Sequence, residues 1–156
     1  MAVIRRTAVL AILLAVVTQI FGAIAPLRRL ASAADDTPML TRADLDILRK
    51  ANEILADESK WNRMCERRYK EEDKTWSLYT ALYKASLEIT GKFDHRRPAL
   101  EEIRRTVERL TVDKKYQHRL MDYNNDPETK FADIKKVLTG SIERISAQVE
   151  KKASDK

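Results

Sequence analysis

The sequence predicts an all-α protein, a compact bundle of four to five short helices behind an N-terminal hydrophobic leader. Three observations carry this expectation. Apolar residues recur at steps of three and four through most of residues 41–150. No stretch alternates apolar and polar residues as a half-buried strand would, and hairpin turn pairs are missing. Beyond the leader, the glycines and prolines (Gly91, Gly140, Pro38, Pro98 and Pro127) fall at or near places where helices should begin or end.

The first helix is expected over about 41–57. Thr41 is placed to cap it, Asp44 completes a capping-box variant, and Leu45, Leu48, Ala51 and Leu55 share one face. Residues 59–74, "SKWNRMCERRYKEEDK", are the least regular stretch and read as a short helix plus loop. There Glu66, Glu71, Glu72 and Asp73 interleave with Arg63, Arg67, Arg68, Lys70 and Lys74, a pattern of self-compensating exposed charge. A second helix follows over about 75–90, with Thr75 as its cap and Gly91 past its end; Leu78, Ala81, Leu82, Ala85 and Ile89 form its apolar face. Its alanines allow close helix approach.

Pro98 suits the first position of a third helix, over about 98–110, with Glu101 and Glu102 at its positive end and Leu100, Ile103, Val107 and Leu110 along one stripe. Val112, Tyr116, Leu120 and Tyr123 continue at helical steps and predict a fourth helix. Phe131, Ile134, Leu138, Ile142, Ile145 and Val149 predict a fifth, in which Gly140 invites a bend or an early end. Between these two lies "MDYNNDPETKF". Asn124 or Asn125 should stop the fourth helix, and Asp126 with Pro127 should cap and start the fifth. Residues 151–156 should form a disordered tail.

Residues 1–33 carry Arg5, Arg6, Arg28 and Arg29 and no acid. A basic start, an almost uncharged run over 7–27 and small residues at 31–34 read as a signal peptide cleaved after Ala33. A retained inner-membrane anchor is the competing expectation, since 21 helical residues reach roughly 30 Å, enough to cross a bilayer core. The arginine pairs at the two ends balance and set no orientation. Residues 34–40 then form a linker and 41–150 the helical domain.

Cleavage would lower the formal net charge from +6 to about +2. That removes most of the basic excess, and the remaining charges alternate in sign along helices; nucleic acid is therefore not expected as a partner. Cys65 is the single cysteine, so no internal disulfide can form and packing must supply the stability. It is expected as a half-buried thiol or an occasional crosslink between molecules.

No nucleophile elbow, phosphate-cradling glycine loop or cysteine-histidine zinc set occurs, so no cofactor, metal ligand or catalytic residue is assigned. The best constellation is His118 with Asp122, four residues apart and on one face if helical, joined by Asn125 and Asp126. Capping and turn formation are the preferred account of these residues. Trp61 and Trp76 are expected to close the core.

The chain resembles an uncharacterised bacterial family of small helical domains. Its members carry a tryptophan after the first helix, then W-C-x-x-G-A-L-x-x-A, then W-N-D with a following threonine and a final amphipathic helix. Trp61, then Trp76, Ala81, Leu82 and Ala85, then Asn125, Asp126 and Thr129 match these elements. Ser77 stands for the pattern's cysteine, Thr80 for its glycine, and Tyr123 with Asn124 replaces the second motif's tryptophan. The similarity spans about residues 44–145. It implies a helical fold with this order of elements and no particular activity.

The expected function is that of an exported, non-enzymatic interaction or structural module, periplasmic or secreted after cleavage, contacting an unknown protein partner. One alternative is a small hydrolase or metal-dependent enzyme centred on His118, Asp122 and Asp126. The other is a helical domain anchored in the membrane by its N-terminus.

Overall fold

The computed structural model describes residues 39–155. The leader, its cleavage site and the alternative anchor lie outside those residues. Five α-helices follow one another: α1 (Arg42–Ile54), α2 (Leu78–Thr90), α3 (Pro98–Leu110), α4 (Arg119–Asn125) and α5 (Phe131–Ser154). A 3-10 turn (Glu58–Lys60) follows α1. The domain is all-α, and the described residues contain no strand, only an isolated parallel bridge between Trp61 and Trp76. No helix among them is long and apolar enough to cross a membrane.

The core forms where the predicted apolar faces meet. Leu45, Leu48 and Ala51 of α1 pack with Leu78, Ala81, Leu82 and Ala85 of α2, Leu100, Ile103 and Val107 of α3, and Ile134, Leu138 and Ile145 of α5. Each of these side chains is buried. Burying one such side chain contributes about 1.5–3 kcal/mol, which is what holds together helices too short to persist alone. Helix α1 contacts α2, α3 and α5, and so occupies the centre of the arrangement.

Helix ends account for much of the polar structure. Thr41 and Asp44 form the anticipated capping box, with the Thr41 amide donating to Asp44 Oδ2 at 2.9 Å. Asp44 is also 1% exposed and lies 2.9 Å from Arg97 Nε, so one carboxylate joins the start of α1 to the residue that precedes Pro98 of α3. The C-terminal carbonyls of α1 receive Lys135 from α5, whose ammonium donates to the Leu55 carbonyl at 3.0 Å and the Asn52 carbonyl at 3.1 Å. A cation at the negative end of a helix is favourable, and burial lowers the Lys135 pKa. Between α3 and α5 the buried Glu102 accepts from Arg144 Nε at 2.6 Å and Arg109 Nη2 at 2.7 Å.

Four boundaries differ from the sequence expectation, each for a local reason. Helix α1 ends at Ile54, because Asp57 instead accepts the Ser59 amide at 2.9 Å to start the 3-10 turn. Helix α2 begins at Leu78, capped by Ser77 rather than Thr75, since Trp76 is held extended by its bridge to Trp61. Helix α4 begins at Arg119, and Val112 is 82% exposed, because Lys114 and Tyr116 are drawn out of helical register to reach Asp126. Helix α5 begins at Phe131, so Asp126 and Pro127 precede it by a turn, with the Lys130 amide donating to Asp133 at 3.1 Å.

Two other points agree or differ in detail. Gly91 ends α2 with φ 70°, the left-handed conformation that glycine adopts without strain. Helix α5 passes Gly140 as one helix and continues through 151–154, where a frayed tail was expected. A Cβ at Gly140 would meet only the end of the Arg144 side chain, at 3.7 Å. Gly140→Ala is therefore expected to stabilise the domain by about 1 kcal/mol, since alanine restricts the unfolded chain and is the better helix former. Urea unfolding of the two forms measures this; an unchanged or lower midpoint would show that the apparent space at Gly140 is not available.

Candidate functional site

The candidate site is the corner between α4 and α5, together with residues 55–77, which cross over it. Sequence logic brings the two together. The 55–77 segment has few apolar side chains and only one short helical turn, so its backbone groups need partners from elsewhere. The corner supplies them through consecutive side chains.

Asn124 is fully buried, and its amide makes four hydrogen bonds to residues 61–78. Trp61 Nε1 and the Leu78 amide donate to its Oδ1, at 2.9 and 3.0 Å. Its Nδ2 donates to the carbonyls of Asn62, at 3.1 Å, and Arg63, at 2.9 Å. The Leu78 amide is the first of α2 and has no partner within its own helix, so Asn124 also caps α2 from a distance. Two donors on one side and two carbonyls on the other leave a single orientation of the amide that satisfies every group.

Asn125 repeats the pattern one residue on. The Cys65 amide donates to its Oδ1 at 2.7 Å, and its Nδ2 donates to the Cys65 carbonyl at 3.2 Å. Cys65 is thereby drawn inward to 5% exposure, deeper than expected, and Ser77 Oγ donates to its sulfur at 3.0 Å. The side chain standing where the resembling pattern has a cysteine thus touches this chain's own cysteine. A buried thiol so enclosed is not placed to crosslink two molecules.

Asp126 faces outward from the same turn. Its Oδ2 accepts from Lys114 Nζ and from Tyr116 Oη, both at 2.7 Å, while Oδ1 accepts the Glu128 amide at 2.9 Å. The Lys114 ammonium and the Tyr116 hydroxyl hold its carboxyl down at about 2. Burial and the adjacent Asp126 raise Tyr116 to about 12. Arg63 completes the corner by donating to the carbonyls of Asp126, at 3.2 Å, of Thr129, at 2.8 Å, and of Pro127. These carbonyls point at the guanidinium, which is why the chain does not enter α5 at Asp126.

His118 and Asp122 come together, but not as a ring and a carboxylate. The contact is between Asp122 Oδ2 and the His118 backbone amide, at 2.7 Å, and it closes the N-terminus of α4. The imidazole is exposed. Among the described residues no group of three His, Cys, Asp or Glu side chains is placed to hold a metal ion. Trp76 is buried in the core; Trp61 is half-buried at its edge, 6.0 Å from the Phe131 ring. The sequence reading gave Asn124 only as a possible helix stop, Tyr116 as a helical stripe position and Arg63 as one of several compensating charges, and it gave Lys114 no role. A buried asparagine has no sequence signature apart from its neighbours, and Arg63 sits in a run whose charges appear to cancel locally.

Two measurements test this description. Asn124→Ala leaves an indole N–H, an amide and two carbonyls without partners, and is expected to lower stability by about 3 kcal/mol or more while speeding proteolysis within 66–74. An equal protease rate in both forms would show that the corner does not hold the segment. The second measurement is pH dependence. Because folding depresses the Asp126 pKa, its contribution is present above the unfolded value of about 4 and is lost as pH falls towards about 2. Asp126→Asn should remove that component of acid destabilisation between about pH 4 and 2.

No curated protein and no solved structure shows significant similarity to the chain. One family model, described as "Family of unknown function (DUF6197)", matches residues 39–144, and so takes in α1 to α4, the corner and most of α5. With more than half of its length matched, the chain belongs to that family of unknown function.

Proposed function

We propose that this chain is an exported, non-enzymatic helical module that acts through protein contacts. The observation that carries the reading is the internal commitment of its most polar corner. Asp122 closes a helix end, Asn124 and Asn125 hold the 55–77 segment, and Asp126 is shared by Lys114, Tyr116 and the Glu128 amide. A hydrolase centred on His118, Asp122 and Asp126 would need these groups to converge on one substrate atom. Asp122 and Asp126 instead serve different neighbours, and the His118 imidazole is exposed. The composition of residues 1–33 supports export, and the small net charge that remains without them favours a protein partner over nucleic acid.

The surface that best suits a partner lies beside this corner. A cleft of about 390 Å³ has Leu110, Val112, Tyr116 and Tyr123 among its walls, with Lys114, Glu128, Asp133 and Lys136 at polar positions. Leu110 and Val112 are 54% and 82% exposed, large apolar side chains left at the surface between α3 and α4. An apolar patch rimmed by charges of both signs is the usual form of a modest protein contact.

A photo-crosslinking residue at position 112 of the full chain, compared with one at Glu53 on α1, tests the surface in cells. A discrete crosslinked partner at 112 that is missing at 53, and is lost on adding Leu110→Asp, is the expected outcome. The same substitution should shift stability by no more than about 0.5 kcal/mol, as for an exposed site. Equal labelling at both positions would count against this surface, and an unprocessed Met1 in the mass spectrum of the cellular protein would count against cleavage.

A further inference from the structure

A second concave surface has a composition that neither the corner nor the cleft explains. It is a pocket of about 180 Å³ walled by Arg67, Tyr79, Arg104, Gln117, His118 and Arg119. No carboxylate lines it. The cleft beside Tyr116 includes Asp113, Glu128 and Asp133, and the hollow over Cys65 includes Glu66 and Asp73. On a chain where acids and bases alternate so regularly, a concavity whose polar lining is three guanidiniums, an imidazole, a phenol and one amide, beside Leu120 and Met121, is a departure. Nearly every polar group in it can donate a hydrogen bond.

Nearby groups hold two of these arginines in place. Arg104 Nη1 donates to the His95 carbonyl at 2.8 Å and to Glu101 at 3.3 Å, and Arg119 Nη1 reaches Glu108 at 2.7 Å. Each guanidinium is fixed through one of its nitrogens and keeps further N–H groups free to donate. Asp122, the remaining neighbouring acid, is taken by the His118 backbone amide. Arg67 differs from the other two. It has no ion pair among the described residues, and its backbone φ of 59° is the one left-handed value there outside glycine. That conformation is unfavourable for arginine and is often found where a side chain must be presented to a ligand.

Size narrows the ligand. Drug-sized molecules occupy roughly 300–1,000 Å³, so this pocket suits one compact group rather than a nucleotide. Guanidiniums present paired N–H donors that match the oxygens of a tetrahedral dianion. We propose that the pocket binds a phosphate group, either as inorganic phosphate or as the head of a phosphomonoester, with Arg104 and Arg119 as fixed donors and Arg67 as the open one. The proposal is independent of the protein-contact reading above.

Titration of the full chain with inorganic phosphate, with phenyl phosphate and with acetate tests it, at constant ionic strength and followed by the His118 ring resonances and by calorimetry. Saturable binding of either phosphate, not matched by acetate, is expected. Arg67→Gly should weaken it roughly tenfold with no loss of thermal stability, because glycine accepts the left-handed backbone and only the charged donor is removed. Arg67→Lys should fall between the two. Tighter binding of phenyl phosphate would assign the site to phosphomonoesters, and equal or weaker binding to the free ion; both support the proposal. An absence of saturation, an equal response to acetate, or unchanged affinity in Arg67→Gly would overturn it.

Discussion

The side-chain amide of Asn124 is the interaction on which the rest of this domain depends. Residues 55–77 contribute few apolar contacts and one 3-10 turn, yet they lie against the bundle and carry the chain from α1 to α2. Their backbone groups satisfy one another only in part, through the 3-10 turn and the pairing of Lys60 and Asn62 with Trp76, and a buried polar group without a partner costs about 1–3 kcal/mol. Asn124 supplies an acceptor for Trp61 and Leu78 and donors for Asn62 and Arg63, in a single rigid planar group. Asn125 then extends the same attachment along the segment to Cys65, and Arg63 extends it along the corner to Thr129.

Around that attachment the domain is organised by shared helix ends rather than by surface ion pairs. Asp44 serves the start of α1 and reaches Arg97 before α3, Lys135 closes the C-terminus of α1 from α5, and Asn124 caps α2 from α4. Each contact uses one side chain to satisfy groups on two elements, which couples helix formation to assembly. Exposed pairs such as Arg42 with Asp46 contribute little by comparison, because solvent screens them. Tyr69 stacks on Tyr83, at 4.8 Å, and on Trp76, at 5.8 Å, and adds an aromatic contact where the segment crosses α2.

This economy of polar groups also separates structure from function. Asp122, Asn125 and Asp126, which looked chemical in the sequence, are each engaged by the fold, whereas the His118 imidazole is left exposed. Leu110, the last residue of α3, and Val112 just past it remain at the surface. Arg67 is turned outward by a left-handed backbone within the segment that Asn124 and Asn125 hold.

Helix identity and the core were legible in the sequence because apolar side chains at steps of three and four can be buried together only on a helix. Leu45, Leu82, Ile103 and Leu138 were identified in this way, as were the Thr41 cap, the Gly91 stop and the start of α3 at Pro98. The family resemblance placed Trp61, Trp76, Asn125 and Asp126 among its matched elements; Trp61 pairs with Trp76 and donates to Asn124, the neighbour of Asn125 and Asp126 at the corner. Local rules did not reveal the role of Asn124, the turn at Asp126 and Pro127, or the short α4. In each case a partner some ten to seventy residues away outweighs the local preference: Trp61 and Leu78 for Asn124, Arg63 for the Asp126 carbonyl, and Asp126 for Lys114 and Tyr116. Sequence by itself determined the five helices and most of the apolar positions they bury, because these follow from periodicity. Only the tertiary structure decided where the helices stop and which polar groups stay free, because hydrogen bonds between distant residues have no period.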